Sequence, residues 1–304
     1  MVRIAKTKEE LHAARSELSG TIGLVMTMGA LHDGHLSLVR AAKSECDDVV
    51  VSIFVNPLQF GPGEDYEAYP RDLEADLALL ETVGVDVVYA PSVGDVYPRT
   101  PLVRIDPGPV ASRFEGATRP GHFAGVLQVV HKVFNLVQPD IAYFGQKDAQ
   151  QLALIRTMVA DLDMPLAIHS VPIRREESGL AMSSRNSYLS EDEKIAALAL
   201  NQALTIGRDA AAHKASPATT RELAENYLRR AEGIRLDYLA LVDPDTFEEL
   251  GLSATEELVD DTPAELTWEG EGGAEAFAVR GLLITAAWVG STRLIDNMEV
   301  EFDV

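Results

Sequence analysis

The stretch Ile22-Gly23-Leu24-Val25-Met26-Thr27-Met28-Gly29-Ala30-Leu31-His32-Asp33-Gly34-His35 decides the fold. Its apolar start, Ile22 to Met26, reads as a buried strand, and the residues that follow it, Leu36 to Lys43, read as an amphipathic helix. Between the two, glycines permit a tight turn and a close approach of backbone to ligand. The helix start aims unpaired N–H groups and the positive end of its dipole at the same place. With His35 opening the helix three residues after His32, both rings can face one anion and donate hydrogen bonds to charge developing on phosphorus. Two plainer readings stand beside this one. A zinc site would need a third ligand, and none lies nearby in sequence, since Cys46 reads as a small buried hydrophobe. A structural turn with incidental capping histidines is the other. The pattern G-x-G-x-x-G and the Walker lysine loop are both missing from the stretch, which argues against a dinucleotide dehydrogenase and a P-loop kinase.

Working outward, strands and helices alternate over the first 175 or so residues. Asp48 to Val55 is nearly continuous in apolar and β-branched residues, as a strand covered on both faces requires. Helices are predicted over Asp72 to Thr82, Phe123 to Leu136 and Ala149 to Asp161. Strands are predicted over Val85 to Ala90, Ile141 to Phe144 and Leu166 to Val171. This order predicts an α/β fold with a doubly wound, Rossmann-like parallel sheet over residues 1–176, whose ligand lies beyond the carboxyl ends of the strands. The amino-terminal residues Met1 to Lys6 read as leading straight into a charged helical pattern.

Beyond Glu176 the texture changes. Helical stretches Glu191 to Ala212 and Pro217 to Glu232 precede strands at Leu236 to Val242, Leu282 to Val289 and Leu294 to Phe302, which predicts a smaller α+β domain over 177–304. An acidic insertion at about 253–275 carries eight carboxylates and no basic residue, and reads as a surface excursion. It lacks the regular spacing of an EF-hand calcium loop.

Composition limits the function classes. The chain has 304 residues, 46% of them apolar and 24% charged, with one cysteine, so a disulfide framework is excluded. No run approaches the roughly 18 apolar residues of a membrane span, and no signal-type segment opens the chain. The expectation is a cytoplasmic protein that contacts no membrane. The formal charge of −22 disfavours an extended nucleic-acid contact. An anionic ligand therefore needs a local positive site, whether the surplus acid is an ordinary solvated surface or a salt-adapted one.

Three further clusters fall at strand ends. Asn56-Pro57-Leu58-Gln59-Phe60 offers an amide that donates and accepts at once. Gly145-Gln146-Lys147-Asp148-Ala149-Gln150-Gln151 opens a helix with a cation in a place the dipole disfavours, as though a ligand supplied the negative charge. Met182-Ser183-Ser184-Arg185 adds two hydroxyls and a guanidinium, donors suited to a polyphosphate.

These segments, with Tyr69-Pro70-Arg71, Arg119-Pro120-Gly121-His122-Phe123 and Asn135 to Asp140, resemble the signature segments of the pantothenate synthetase (pantoate–β-alanine ligase) family. The likeness is dense from Gly23 to Leu189 and thinner through Asp237-Tyr238-Leu239 and Thr292 to Asn297. The resemblance implies an ATP-dependent, AMP-forming ligase of the route to coenzyme A. It would join pantoate to β-alanine through pantoyl adenylate, release pyrophosphate, and form a homodimer. Met28, Gly29, Ala30, Leu31, His32, Asp33, Gly34 and His35 would then hold ATP, with both rings on the phosphates and His35 a proton donor. Gly145, Gln146, Lys147 and Asp148 would bind the nucleotide, with Lys147 on the α-phosphate and Asp148 a ribose acceptor. Met182, Ser183, Ser184 and Arg185 would clasp the triphosphate, and Arg174 would meet adenine through its backbone. His32, His35, Lys147 and Arg185 would form the catalytic set. Gln59 and Gln151 would bind pantoate, and Asp76 is the candidate ligand for Mg2+. Gln146 stands where the family commonly has an acid, and Ala75 beside Asp76 where many relatives carry a carboxylate. Two other classes share part of the pattern. A nucleotidyltransferase acting on a phosphorylated substrate would want more cations than the pair Gln59 and Gln151 supplies. A non-catalytic nucleotide-binding regulator would be free to lose His35, Lys147 or Arg185.

Overall fold

The computed structural model describes residues 2–251 and 278–303, so the acidic insertion expected at 253–275 lies outside the described residues. The first sheet contains β1 (Arg3–Ala5), β2 (Ile22–Thr27), β3 (Asp48–Ile53), β4 (Val87–Tyr89), β5 (Ile141–Gly145) and β6 (Ala167–Val171). All of its pairings are parallel, in the order β1-β4-β3-β2-β5-β6. The central strands are apolar on both faces because both faces are covered. Leu24 and Val50 pack with α1 (Lys8–Arg15), α6 (His122–Val137) and α7 (Ala149–Asp161). Val25, Val49 and Val51 pack on the other side with α2 (Asp33–Glu45) and α3 (Leu73–Thr82). Two one-turn helices, α4 (Val93–Val96) and α5 (Glu115–Thr118), lie in the long connection between β4 and α6.

From β2 the chain moves outward through β3 and β4, then returns to the other side of β2 as β5. Strand order therefore reverses between β2 and β5, and the loops that leave their carboxyl ends diverge to open a crevice. Those loops are Thr27 to His32 and the 3-10 turn Gln146–Asp148.

The carboxyl-terminal part pairs α8 (Glu191–Ala212) and α9 (Pro217–Arg230) against an antiparallel sheet β7-β8-β9, with β7 Ile234–Val242, β8 Ala278–Val289 and β9 Thr292–Asp303. Leu200, Leu204, Leu228, Leu241 and Leu283 form its core. The α/β class with a small additional sheet is the one the sequence predicts. Two details differ. Arg3–Ala5 forms an edge strand on β4 rather than the approach to a helix. Helix α2 begins at Asp33, ahead of the apolar pattern at Leu36, because the His32 side chain caps it. Among the described residues no helix is long and apolar enough to cross a membrane.

Candidate active site

The loop after β2 is held from below by one carboxylate. Asp76, on α3 and buried, accepts the N–H of Ala30 at 3.1 Å and of Leu31 at 2.7 Å. The loop turns through left-handed backbone at Gly29 (φ 85°) and Ala30 (φ 50°), a path that favours glycine at the first of these. Burial outweighs the two N–H bonds and raises the Asp76 pKa above the ordinary carboxylate value. With both oxygens engaged on backbone, the structure places Asp76 as the floor of the loop. Among the described residues no group of three or more His, Cys, Asp or Glu side chains could hold a metal ion.

At the top of the loop the two imidazoles form a reciprocal helix cap. His32 Nδ1 accepts the Gly34 N–H at 3.1 Å, and His35 Nδ1 accepts the His32 N–H at 3.4 Å. The ring centroids lie 4.1 Å apart. Because each Nδ1 is an acceptor, each neutral ring carries its proton on Nε2, an assignment made from the hydrogen-bond pattern. Burial and the neighbouring His32 push the His35 pKa down to about 3, with Lys147 pushing the same way and Asp148 opposing. His32 is lowered by burial and by Lys147. Both shifts favour the neutral ring, in which Nε2–H is a donor.

Gln59 is positioned on the other side of the crevice. The Pro57–Gln59 turn presses on α6 so closely that a Cβ at Gly125 would lie 1.9 Å from the Leu58 carbonyl oxygen. Buried Asn56 gives its Nδ2 hydrogens to the Gly125 carbonyl (3.0 Å) and to Gln59 Oε1 (2.9 Å), leaving the Gln59 NH2 group as the free end of that amide. His122 Nδ1 donates to the Gln59 carbonyl at 2.8 Å, and Arg119 bridges His122, Gln59 and Glu64. Burial and the adjacent Arg119 lower the His122 pKa to about 4. Gly125→Ala is expected to cost about 1–3 kcal/mol of stability through backbone overpacking, read as a lower urea midpoint at unchanged slope.

Two adjoining cavities share this architecture. The smaller, about 240 Å³, is lined by His32, His35, Gln59, Gln151 and Arg174 among others. The larger, about 640 Å³, lies between the first sheet's carboxyl edge and the second sheet. Lys147, Asp148, Gln151, Ser183 and Arg185 line both. Arg185 is paired with Asp65 at 3.1 Å and Arg119 with Glu64 at 2.7 Å. Burial opposes ionisation of these two acids, but the guanidiniums prevail and hold both below the usual carboxylate range. Among the described residues Lys147 has no ion-pair partner.

Residues 2–299 match the family model described as pantoate–β-alanine ligase. The chain belongs to the pantoate–β-alanine ligase family. It is 52% identical to pantothenate synthetase from Acidothermus cellulolyticus, over 97% of this chain and 90% of the relative. It is 48% identical to that of Salinispora arenicola, over 99% and 98%. The crystal structure of pantothenate synthetase from Thermus thermophilus superimposes with a TM-score of 0.84 at 45% identity, covering 98% of this chain and 99% of that one. Pantoate–β-alanine ligase from Francisella tularensis, complexed with β,γ-ATP and β-alanine, gives 0.74 at 33% identity, covering 98% and 97%.

The structure brings the four segments singled out in this ligase sequence to one crevice, though not with every side chain free. Arg174 turns its guanidinium to Asp33 at 3.0 Å and its carbonyl to the Met182 N–H at 3.0 Å. Gln150 is absorbed in structure, accepting the Glu115 N–H and donating to the carbonyls of Val110 and Arg113. Asn56, Glu64, Asp65, Arg119 and His122 were given no role by sequence reasoning. Asn56 had a readable signal, an asparagine just before Pro57 at a strand end, which is a capping position. Asp65 and Glu64 had none, because their partners lie 120 and 55 residues away.

Proposed function

We propose that the chain condenses pantoate with β-alanine using ATP, in two steps. The pantoate carboxylate attacks the α-phosphorus and pyrophosphate leaves. The β-alanine amine, having lost a proton, then attacks the carbonyl of the adenylate, AMP leaves with the bonding electron pair, and pantothenate is formed. The observation that carries this reading is the pair of imidazoles at the switch point, both lining the smaller cavity with Nδ1 used as a backbone acceptor, and Lys147 lining the same cavity. A carboxylate is a weak nucleophile and pyrophosphate leaves with little need for protonation, so positioning and charge stabilisation supply the rate.

In this reading His32 and His35 donate to the phosphates as neutral groups, and Lys147 meets the α-phosphate. Ser183, Ser184 and Arg185 take the polyphosphate, with Arg185 exchanging Asp65 for it. Gln59 presents N–H donors to pantoate, and Gln151 faces it from α7. The part up to residue 176 supplies the histidines, Lys147 and the glutamine pair, and the part from 177 supplies Ser183 to Arg185 and one wall of the larger cavity. Magnesium accompanying the nucleotide would supply charge neutralisation at the phosphates.

The deciding assay measures AMP formed from ATP and pantoate with and without β-alanine. Sustained AMP release only when all three are present supports the ligase. Release independent of β-alanine would point to a different transfer, and no AMP at all would sink the reading.

The rings also set a pH behaviour. Folded His35 and His122 take up protons only near pH 3 and pH 4, against an ordinary value of 6.5. Between those limits the unfolded chain binds more protons, so the two groups leave stability untouched above about pH 6.5 and reduce it progressively below. In NMR titration of the free protein, the Cε1–H resonances of His35 and His122 are expected to stay flat between about pH 5.5 and 8. A midpoint near 6.5 for either would show that its ring is not held neutral.

A further inference from the structure

Strand β9 meets the crevice through two consecutive buried polar residues, Asp296 and Asn297, each 4% exposed. Such residues cost stability unless their donors and acceptors are used, and here they are used on crevice segments. Asn297 Nδ2 gives its two hydrogens to two successive carbonyls, those of Gln146 and Lys147, each at 2.9 Å. These belong to the turn that carries Lys147, which has no side-chain cap at Gly145. Asp296 takes both forks of Arg175, at 2.7 and 2.9 Å. Arg175 in turn bridges to Ala181, the residue before Met182. One dipeptide of β9 thereby mounts both the Lys147 turn and the approach to Ser183 and Arg185, segments that lie over 100 residues away in sequence.

We infer that Asn297 is a positioning residue for Lys147: its two bonds to adjacent carbonyls give the Gln146–Asp148 turn a single orientation and so fix where the ammonium enters the crevice. The inference rests on the reading of Lys147 as a phosphate-facing group. Asn297 reaches the reaction only through that turn. Aspartate at the position would set carboxylate oxygens against both carbonyls, and serine would leave at most one donor.

The test is a double-mutant cycle on kcat/KM for ATP, using Asn297→Asp, Lys147→Ala and the pair. Asn297→Asp alone is expected to lower kcat/KM about 10- to 100-fold. In that background Lys147→Ala is expected to add only the remainder, so that the double variant falls no lower than Lys147→Ala alone. Asn297→Ser run through the same cycle should show the same non-additivity with a smaller first loss, and it serves if the aspartate variant does not fold. Losses that multiply, as they would for a residue that only stabilises the fold, overturn the inference, as does parent-like activity in both Asn297 variants. A Lys147→Ala variant with normal turnover overturns the reading of the site together with it.

Discussion

Replacing Lys147 with alanine is expected to lower kcat/KM for ATP on the order of 100-fold or more, roughly 3 kcal/mol of transition-state stabilisation, while leaving the unfolding midpoint unchanged. The size follows from what Lys147 is not doing in the free protein. Among the described residues it has no ion-pair partner, and its turn is held by Asn297 through backbone carbonyls rather than through its side chain. Removing the ammonium therefore breaks no hydrogen bond or ion pair among the described residues. His35→Ala should give a loss of the same order, with some cost in stability as well, because that ring also caps α2. Steady-state kinetics with urea denaturation of both variants checks this. Near-normal turnover in both would remove the electrostatic basis of the proposed chemistry.

Asp76→Ala should be the most damaging single change to the crevice. It strips the acceptors from the Ala30 and Leu31 N–H groups, and bonds to a charged acceptor are worth roughly 1.5–3 kcal/mol each. A loss of roughly 3 kcal/mol in stability is expected. It should come with a fall in kcat/KM comparable to that of His35→Ala, since the rings stand on the loop that is released. Asp76→Asn keeps one acceptor oxygen and should fall between. A metal ligand would behave differently, with stability nearly unchanged and the defect relieved by raising magnesium. Urea titration beside a magnesium titration separates the two, and magnesium rescue of a fully stable variant would support the metal role for Asp76 that the resemblance implies.

The parallel sheet was legible because its signal is local. The apolar run of β3 can belong only to a strand covered on both faces or to a buried helix, and its shortness decides between them. The start of α8 follows from Ser190 and Glu193, a capping box four residues long. The three-residue β1 was not legible, since Arg3-Ile4-Ala5 carries too short a pattern to outweigh the helical signal behind it. In the crevice, the residue types carry the chemistry, so the histidine pair, Lys147 and Gln59 stand out on their own. What holds them does not. Asp76 under the loop, His122 beside Gln59, and Asp65 on Arg185 are ordinary polar residues whose meaning arises only when distant segments meet. The free state of a guanidinium cannot be read from a sequence either. Arg185 and Arg119 look available, and both are already answered by carboxylates.

The imidazole cap on α2 bears on how position 32 can drift. The helix asks of that residue only an acceptor for the Gly34 N–H, and Asn, Asp or Ser would serve at least as well. A population of variants selected for folding alone should thus lose histidine at 32 quickly and without penalty. One selected for turnover should keep it, so the two selections diverge at a single site where the fold itself is indifferent.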